Sequence, residues 1–150
     1  MRKRALLGAV AALLMVCSSA STVFARTIVA SAGRPMIGSE EGFFNAANGV
    51  VNNTNTNNKT WIMPLIFDTF NTSKTITVRG RSNVGSGSLS CQAFALSTAG
   101  SIASSSLSTA FTQTAGFTFI TLNLSTVPTG AVGLVACVMN NNAALIGVDF

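Results

Sequence analysis

The chain of 150 residues has no histidine and no tyrosine, and its only acids are Glu40, Glu41, Asp68 and Asp149. Without histidine, neither a Ser/His/Asp nor a Cys/His constellation can be built, and metal shells that rely on imidazole are excluded as well. Glu40 and Glu41 are adjacent, so on an extended segment their side chains point apart and do not pair across a substrate. Gly85-Ser86-Gly87 lacks the lysine and the following helix of a phosphate loop. Asp68 and Asp149 could approach each other only through the fold, which sequence does not show; on this inventory the chain is expected to be non-enzymatic and to need no cofactor.

Charge is scarce too, at 9% of residues against about 25% in ordinary soluble domains. The mean hydropathy is positive, yet the longest apolar stretch, residues 5–17, falls short of the ~20 residues a spanning helix needs. That stretch has another reading. Met1-Arg2-Lys3-Arg4 is a basic leader, Ala5 to Val16 an apolar centre, and Ser18 to Thr22 a polar tail. Val23-Phe24-Ala25 then presents short residues at −3 and −1, the pattern of a secretory signal peptide cleaved after Ala25, with Ala20 as the weaker site. Val16 before Cys17 is too large for a lipoprotein signal.

Two regions follow: residues 1–25 as signal peptide and 26–150 as one exported domain, long enough to hold its own core. Six basic and four acidic residues remain in the mature part, a net charge of +2. The whole-chain pI of 9.9 therefore overstates its basicity. With no Lys/Arg cluster, nucleic acid is not an expected partner, and no stable membrane span remains once the signal is removed. The expected location is secreted or periplasmic.

Cys17 leaves with the signal, so Cys91 and Cys137 form an even pair in an oxidising compartment. Their spacing is not that of a redox Cys-x-x-Cys motif, and no further ligand completes a metal shell. A disulfide is the expected outcome. Closing a loop of that length stabilises a fold by roughly 4 kcal/mol on chain entropy alone.

Helical periodicity is missing from the mature segment, whereas period-2 alternation recurs. Ile76 and Val78 alternate with Thr75, Thr77 and Arg79; Leu89, Cys91 and Ala93 alternate with Ser90 and Gln92; Ile120, Leu122 and Leu124 alternate with Thr121 and Asn123. Ala131 to Met139 is apolar on both faces, as a central strand covered on both sides would be. Trp61 to Phe67 reads as a strand in which Pro64 demands an edge or a bulge. Further strands are expected at Thr27–Ser31, Ser101–Thr109 and Ala143–Phe150. Turn signals separate these runs, among them Asn83 to Gly87, Thr98-Ala99-Gly100, Pro128-Thr129-Gly130 and Asn140 to Asn142. Asn52 to Asn58 reads as a long exposed loop. Seven or eight short strands at this spacing predict an all-β fold: an antiparallel β-sandwich, jelly-roll or immunoglobulin-like.

From Trp61 to Phe150 the order of elements resembles a group of small uncharacterised secreted proteins of Gram-negative bacteria. The matching residues are Met63-Pro64-Leu65, Thr75 to Gly80, Leu89 to Ala93, Gly100, Ser104 to Ser106, Val127-Pro128, Gly133 to Val138 and Ile146 to Val148. The resemblance implies a single sandwich stitched by Cys91 and Cys137. Met63 stands where such sequences often carry a further cysteine, and Leu134-Val135 where an aromatic is usual, so a second bridge is not expected. It implies no activity.

Binding is the remaining class of function. Thr75, Thr77, Arg79 and Arg81 share the outward phase of one strand, a polar ridge suited to anions or glycans or simply to solvent. Trp61 offers a flat apolar face for a sugar ring if exposed, although its apolar neighbours favour the core. The expected role is structural, adhesive or surface-interacting, with a surface, a glycan or another protein as partner. A small ligand- or glycan-binding module is the alternative. The alternating last strand with terminal Phe150 raises a small outer-membrane β-barrel as a second alternative, against which stand the short strands and the missing aromatic girdles.

Overall fold

The structure, a computed structural model, describes residues 25–82 and 88–150. The expected signal segment ahead of Ala25 and the expected turn at Asn83 to Gly87 lie outside the described residues. Twelve strands form among the described residues: β1 (Thr27–Val29), β2 (Arg34–Pro35), β3 (Phe44–Ala47), β4 (Val50–Asn53), β5 (Lys59–Leu65), β6 (Thr72–Arg81), β7 (Leu89–Leu96), β8 (Ile102–Ser105), β9 (Thr109–Ala110), β10 (Thr118–Val127), β11 (Val132–Met139) and β12 (Ala144–Asp149).

They make two sheets. The first runs β10-β6-β12-β4-β3, with β1 also paired to β12; the second runs β2-β5-β11-β7-β8, with β9 also paired to β7. Every pairing between these strands is antiparallel. From β4 to β7 the chain changes sheet at each step, and it does so again from β9 to β12. Apart from β3–β4 and β7–β8, neighbours in one sheet are therefore distant in sequence.

The alternation read from the sequence decides which side chains enter the space between the sheets. Ile76 and Val78 of β6, Leu122 and Leu124 of β10, and Leu145 and Val148 of β12 face Met63 and Leu65 of β5, Leu89 of β7 and Val135 and Met139 of β11, all buried. Each such side chain contributes about 1.5–3 kcal/mol when taken out of water. At Gly133 the inward phase carries no side chain, and the Phe67 ring fills the place: a Cβ there would lie 2.4 Å from the ring.

Several expectations need correction. The strand count exceeds seven or eight because of short strands of two to four residues, most of them at the sheet edges. The single strand expected at Ser101–Thr109 is broken in two at Ser106. That residue turns inward, where its hydroxyl accepts from the Ala93 amide at 3.0 Å and its own amide donates to the Ala93 carbonyl at 2.9 Å. The Asn-rich stretch is not wholly a loop: Asn52 and Asn53 belong to β4, and Asn53 is fully buried. β11 is central but covered on one side only, since Val132 and Val138 are exposed on its outer face. The two sheets are open and packed face to face, so the described residues form a sandwich and not a closed barrel.

Pro64 behaves as expected. It pairs with Leu134 on one side, and on the other β2 reaches only Ile62 and Trp61, so no partner is denied an amide. The β3–β4 hairpin turns on Asn48-Gly49, both at positive φ (52° and 79°), the two-residue connection that suits the twist of paired strands. No helix among the described residues is long and apolar enough to cross a membrane, which says nothing of strands.

Candidate functional site

The outer face of the first sheet is built by β6, β10 and β12. On β6 the inward phase belongs to Ile76 and Val78, so Thr75, Thr77, Arg79 and Arg81 face outward together as the sequence predicts. The register then sets their neighbours: Thr75 lies opposite Asn123, Thr77 opposite Thr121 and Arg79 opposite Phe119. The first row is hydrogen-bonded, Thr75 Oγ1 to Asn123 Oδ1 at 3.1 Å. In the last rows arginine meets phenylalanine. Phe119 is 71% exposed, and the Arg81 guanidinium carbon lies 5.2 Å from the centroid of the Phe117 ring, within cation–π range.

From the opposite side β12 supplies Asp149. Its Oδ2 accepts from Arg79 Nη2 at 2.8 Å and from Arg79 Nε at 3.0 Å, and its Oδ1 accepts from Thr27 Oγ1 at 2.6 Å. The Arg79 guanidinium is thereby held in a fixed orientation although it stands at the surface. Between Leu145 and Gly147 the β12–β6 register shifts by one residue, and this irregularity turns Ile146 outward. Thr77, Arg79, Phe117, Thr118, Phe119 and Ile146 line the resulting depression, of about 490 Å³. Two polar atoms beside it, Arg81 Nε and Thr118 Oγ1, are buried without a hydrogen-bond partner.

Trp61 does not join this face. It points inward from β5 in the other sheet at 5% exposure. Its indole N–H donates to the Ala30 carbonyl at 2.9 Å, and its ring packs 4.8 Å from that of Phe44. The structure therefore separates the three binding candidates: Arg79 and Arg81 stand together, and Trp61 is core. Sequence reasoning missed Phe117, Phe119 and Asp149. The signal for the two phenylalanines was present, because a phase that buries Ile120, Leu122 and Leu124 must turn Phe117 and Phe119 outward.

Cys91 and Cys137 form a disulfide between directly opposed residues of β7 and β11, with Cα atoms 4.1 Å apart. Both are buried, so the bond is part of the core. Two further concavities are formed by described residues. Met36, Ile62, Phe94, Leu96, Leu134 and Val138 contribute to an apolar groove of about 400 Å³ on the outer face of the second sheet. Thr56 and Asn140 to Asn142 form a polar notch of about 440 Å³ at one end of the sandwich. Among the described residues no group of three or more Cys, Asp or Glu side chains is placed to hold a metal ion.

The described residues define a two-sheet antiparallel β-sandwich with a disulfide in its core and an aromatic, cationic depression on one outer face. No family model and no curated protein matches the sequence. Among solved structures the chain is similar to the isomalto-dextranase of Arthrobacter globiformis T6, determined in complex with panose, at 13% identity and a TM-score of 0.50. That alignment covers 71% of this chain and 20% of that one. The chain is also similar to the enzymatically active domain of tailspike protein 4 of bacteriophage CBA120, at 15% identity and a TM-score of 0.39, over 67% of this chain and 14% of that one. The chain thus spans a fifth or less of the length of either protein, and likeness at this identity concerns the fold alone.

Proposed function

We propose that this chain is an exported, non-enzymatic recognition module that binds carbohydrate through the outer face of β6, β10 and β12, in an adhesive or surface-interacting role. The observation that carries the reading is the pair of arginine–phenylalanine rows beside the 490 Å³ depression. A sugar ring has an apolar C–H face and a rim of hydroxyls. Exposed Phe119 and Phe117 supply flat apolar area for the first. Thr77, the Asp149 carboxylate and the Arg79 guanidinium supply acceptors and donors for the second, two of them already oriented by their mutual bonds. Preorganised polar groups around a mainly apolar floor are the usual make-up of a small-ligand site.

The interleaved strand order supports a finer reading of the sandwich as a jelly roll, β4-β12-β6-β10 facing β5-β11-β7-β8, rather than an immunoglobulin-like domain. Jelly rolls include lectin domains, but the fold hosts many functions and the site carries the inference. The leader at residues 1–25, the resemblance to secreted Gram-negative proteins and the buried disulfide support export to the periplasm or beyond. A non-enzymatic role is supported by three of the four side-chain carboxylates: Glu40 is bonded to Lys59, Asp68 to Arg26 and Asp149 to Arg79, each at a different place.

A glycan array probed with the mature protein and with Phe119→Ala tests the reading. Retention of neutral or acidic oligosaccharides is expected, weakened about tenfold or more by the substitution, as loss of an aromatic contact implies. An array without any hit, or hits indifferent to Phe119, would oppose it. Panose is a natural first ligand, since the isomalto-dextranase was determined with it.

A further inference from the structure

Resting on that carbohydrate reading, we infer that the ligand is an acidic saccharide, a hexuronate-containing oligosaccharide whose carboxylate is taken by Arg81. All four side-chain carboxylates of the chain lie among the described residues, and three are held in ion pairs by Arg26, Lys59 and Arg79. Among the described residues the cations without a carboxylate are Arg34, Lys74 and Arg81. Of these, Arg34 belongs to β2 in the second sheet, and Lys74 lies near the start of β6 and donates to Thr69 Oγ1. Arg81 alone stands at the rim of the aromatic depression, over Phe117.

Arg81 is a partly covered cation. The side chain is half-buried, Nε is out of solvent, and no hydrogen bond answers it. A buried donor without a partner is unfavourable, and a charged group more so. A carboxylate approaching the two terminal nitrogens of the guanidinium would accept two parallel N–H bonds and meet the charge, whereas Nε itself, out of solvent, lies beyond its reach. Arg79 differs in that its charge is already met by Asp149, which accepts from its Nε and Nη2. With Asp149 neutralised by Arg79, the outer face keeps one uncompensated positive charge, beside the ring on which the sugar would rest. A neutral saccharide would leave that charge unmet; a uronate would meet it.

The test is titration calorimetry of the mature protein with a panel of oligouronates, each paired with its methyl ester, which keeps ring and size but removes the charge, and with panose. The acidic form is expected to bind about tenfold or more tightly than its ester, as a charge-assisted bond implies, and to weaken as salt is raised from low to physiological concentration. Arg81→Gln is expected to abolish the preference. Arg81→Lys, which keeps the charge but not the fork, is expected to restore part of it. Equal affinity for acid and ester would overturn the assignment to acidic saccharides while leaving carbohydrate binding standing. Binding of no saccharide in the panel would overturn both.

Discussion

Phe119 is the residue on which the site depends, and its exposure makes the expectation specific. A side chain so open contributes little to the core, so Phe119→Ala should leave the thermal midpoint nearly unchanged while saccharide binding falls. A large drop in midpoint would instead make Phe119 structural. Asn53 is the opposite case. Its amide donates to the Met139 carbonyl at 2.7 Å and to the Asn57 carbonyl at 3.0 Å, and its Oδ1 accepts from the Asn55 amide at 2.8 Å. It thereby ties the end of β4 to the Asn-rich loop and to the end of β11. Asn53→Ala should cost about 2–3 kcal/mol, read as a lower urea midpoint, because it orphans buried backbone groups. Composition hid this residue. In a run of five asparagines and two threonines, nothing local distinguishes the one whose partner lies on a strand far along the chain. Phe119, by contrast, was legible from the phase of its own strand.

Elements with a clear alternation were legible, and those defined by long-range contacts were not. β6, β7, β10 and β12 follow directly from which positions are apolar. The division of residues 101–110 into β8 and β9 follows from Ser106, whose place is set by Ala93 on the neighbouring strand and by Gln92 Nε2 donating to its carbonyl at 2.8 Å. The open outer face of β11 was misread for a related reason: an apolar run shows that a strand can be covered on both sides, not that anything covers it. Packing between elements yields a further expectation. Gly133→Ala would place a Cβ 2.4 Å from the Phe67 ring and 2.8 Å from Leu65 Cβ, so the substitution should destabilise by about 1–3 kcal/mol. Phe67→Leu in the same chain should recover part of the loss, measured as coupling in a double-mutant cycle of urea midpoints.

At the scale of the molecule, a chain poor in charge distributes the little it has unevenly. Three ion pairs among the described residues use most of it, at Arg26–Asp68, Lys59–Glu40 and Arg79–Asp149, and an uncompensated cation stands beside the exposed phenylalanines. The two-layer sandwich and its cysteine pair were legible from alternation and cysteine count. The interleaved order of strands was not, because it depends on pairings such as β6 with β12 that no local signal encodes. The disulfide joins two central strands 46 residues apart, so replacing both cysteines by serine should lower unfolding free energy by roughly 4 kcal/mol, seen by urea titration. The central claim is that the outer face of β6, β10 and β12 receives a saccharide. Amide chemical-shift mapping of the labelled mature protein during titration with an oligouronate tests it most directly. Perturbations confined to residues 75–81, 117–121 and 146–149 are predicted; an unperturbed spectrum, or shifts gathered over the apolar groove of the second sheet, would contradict it.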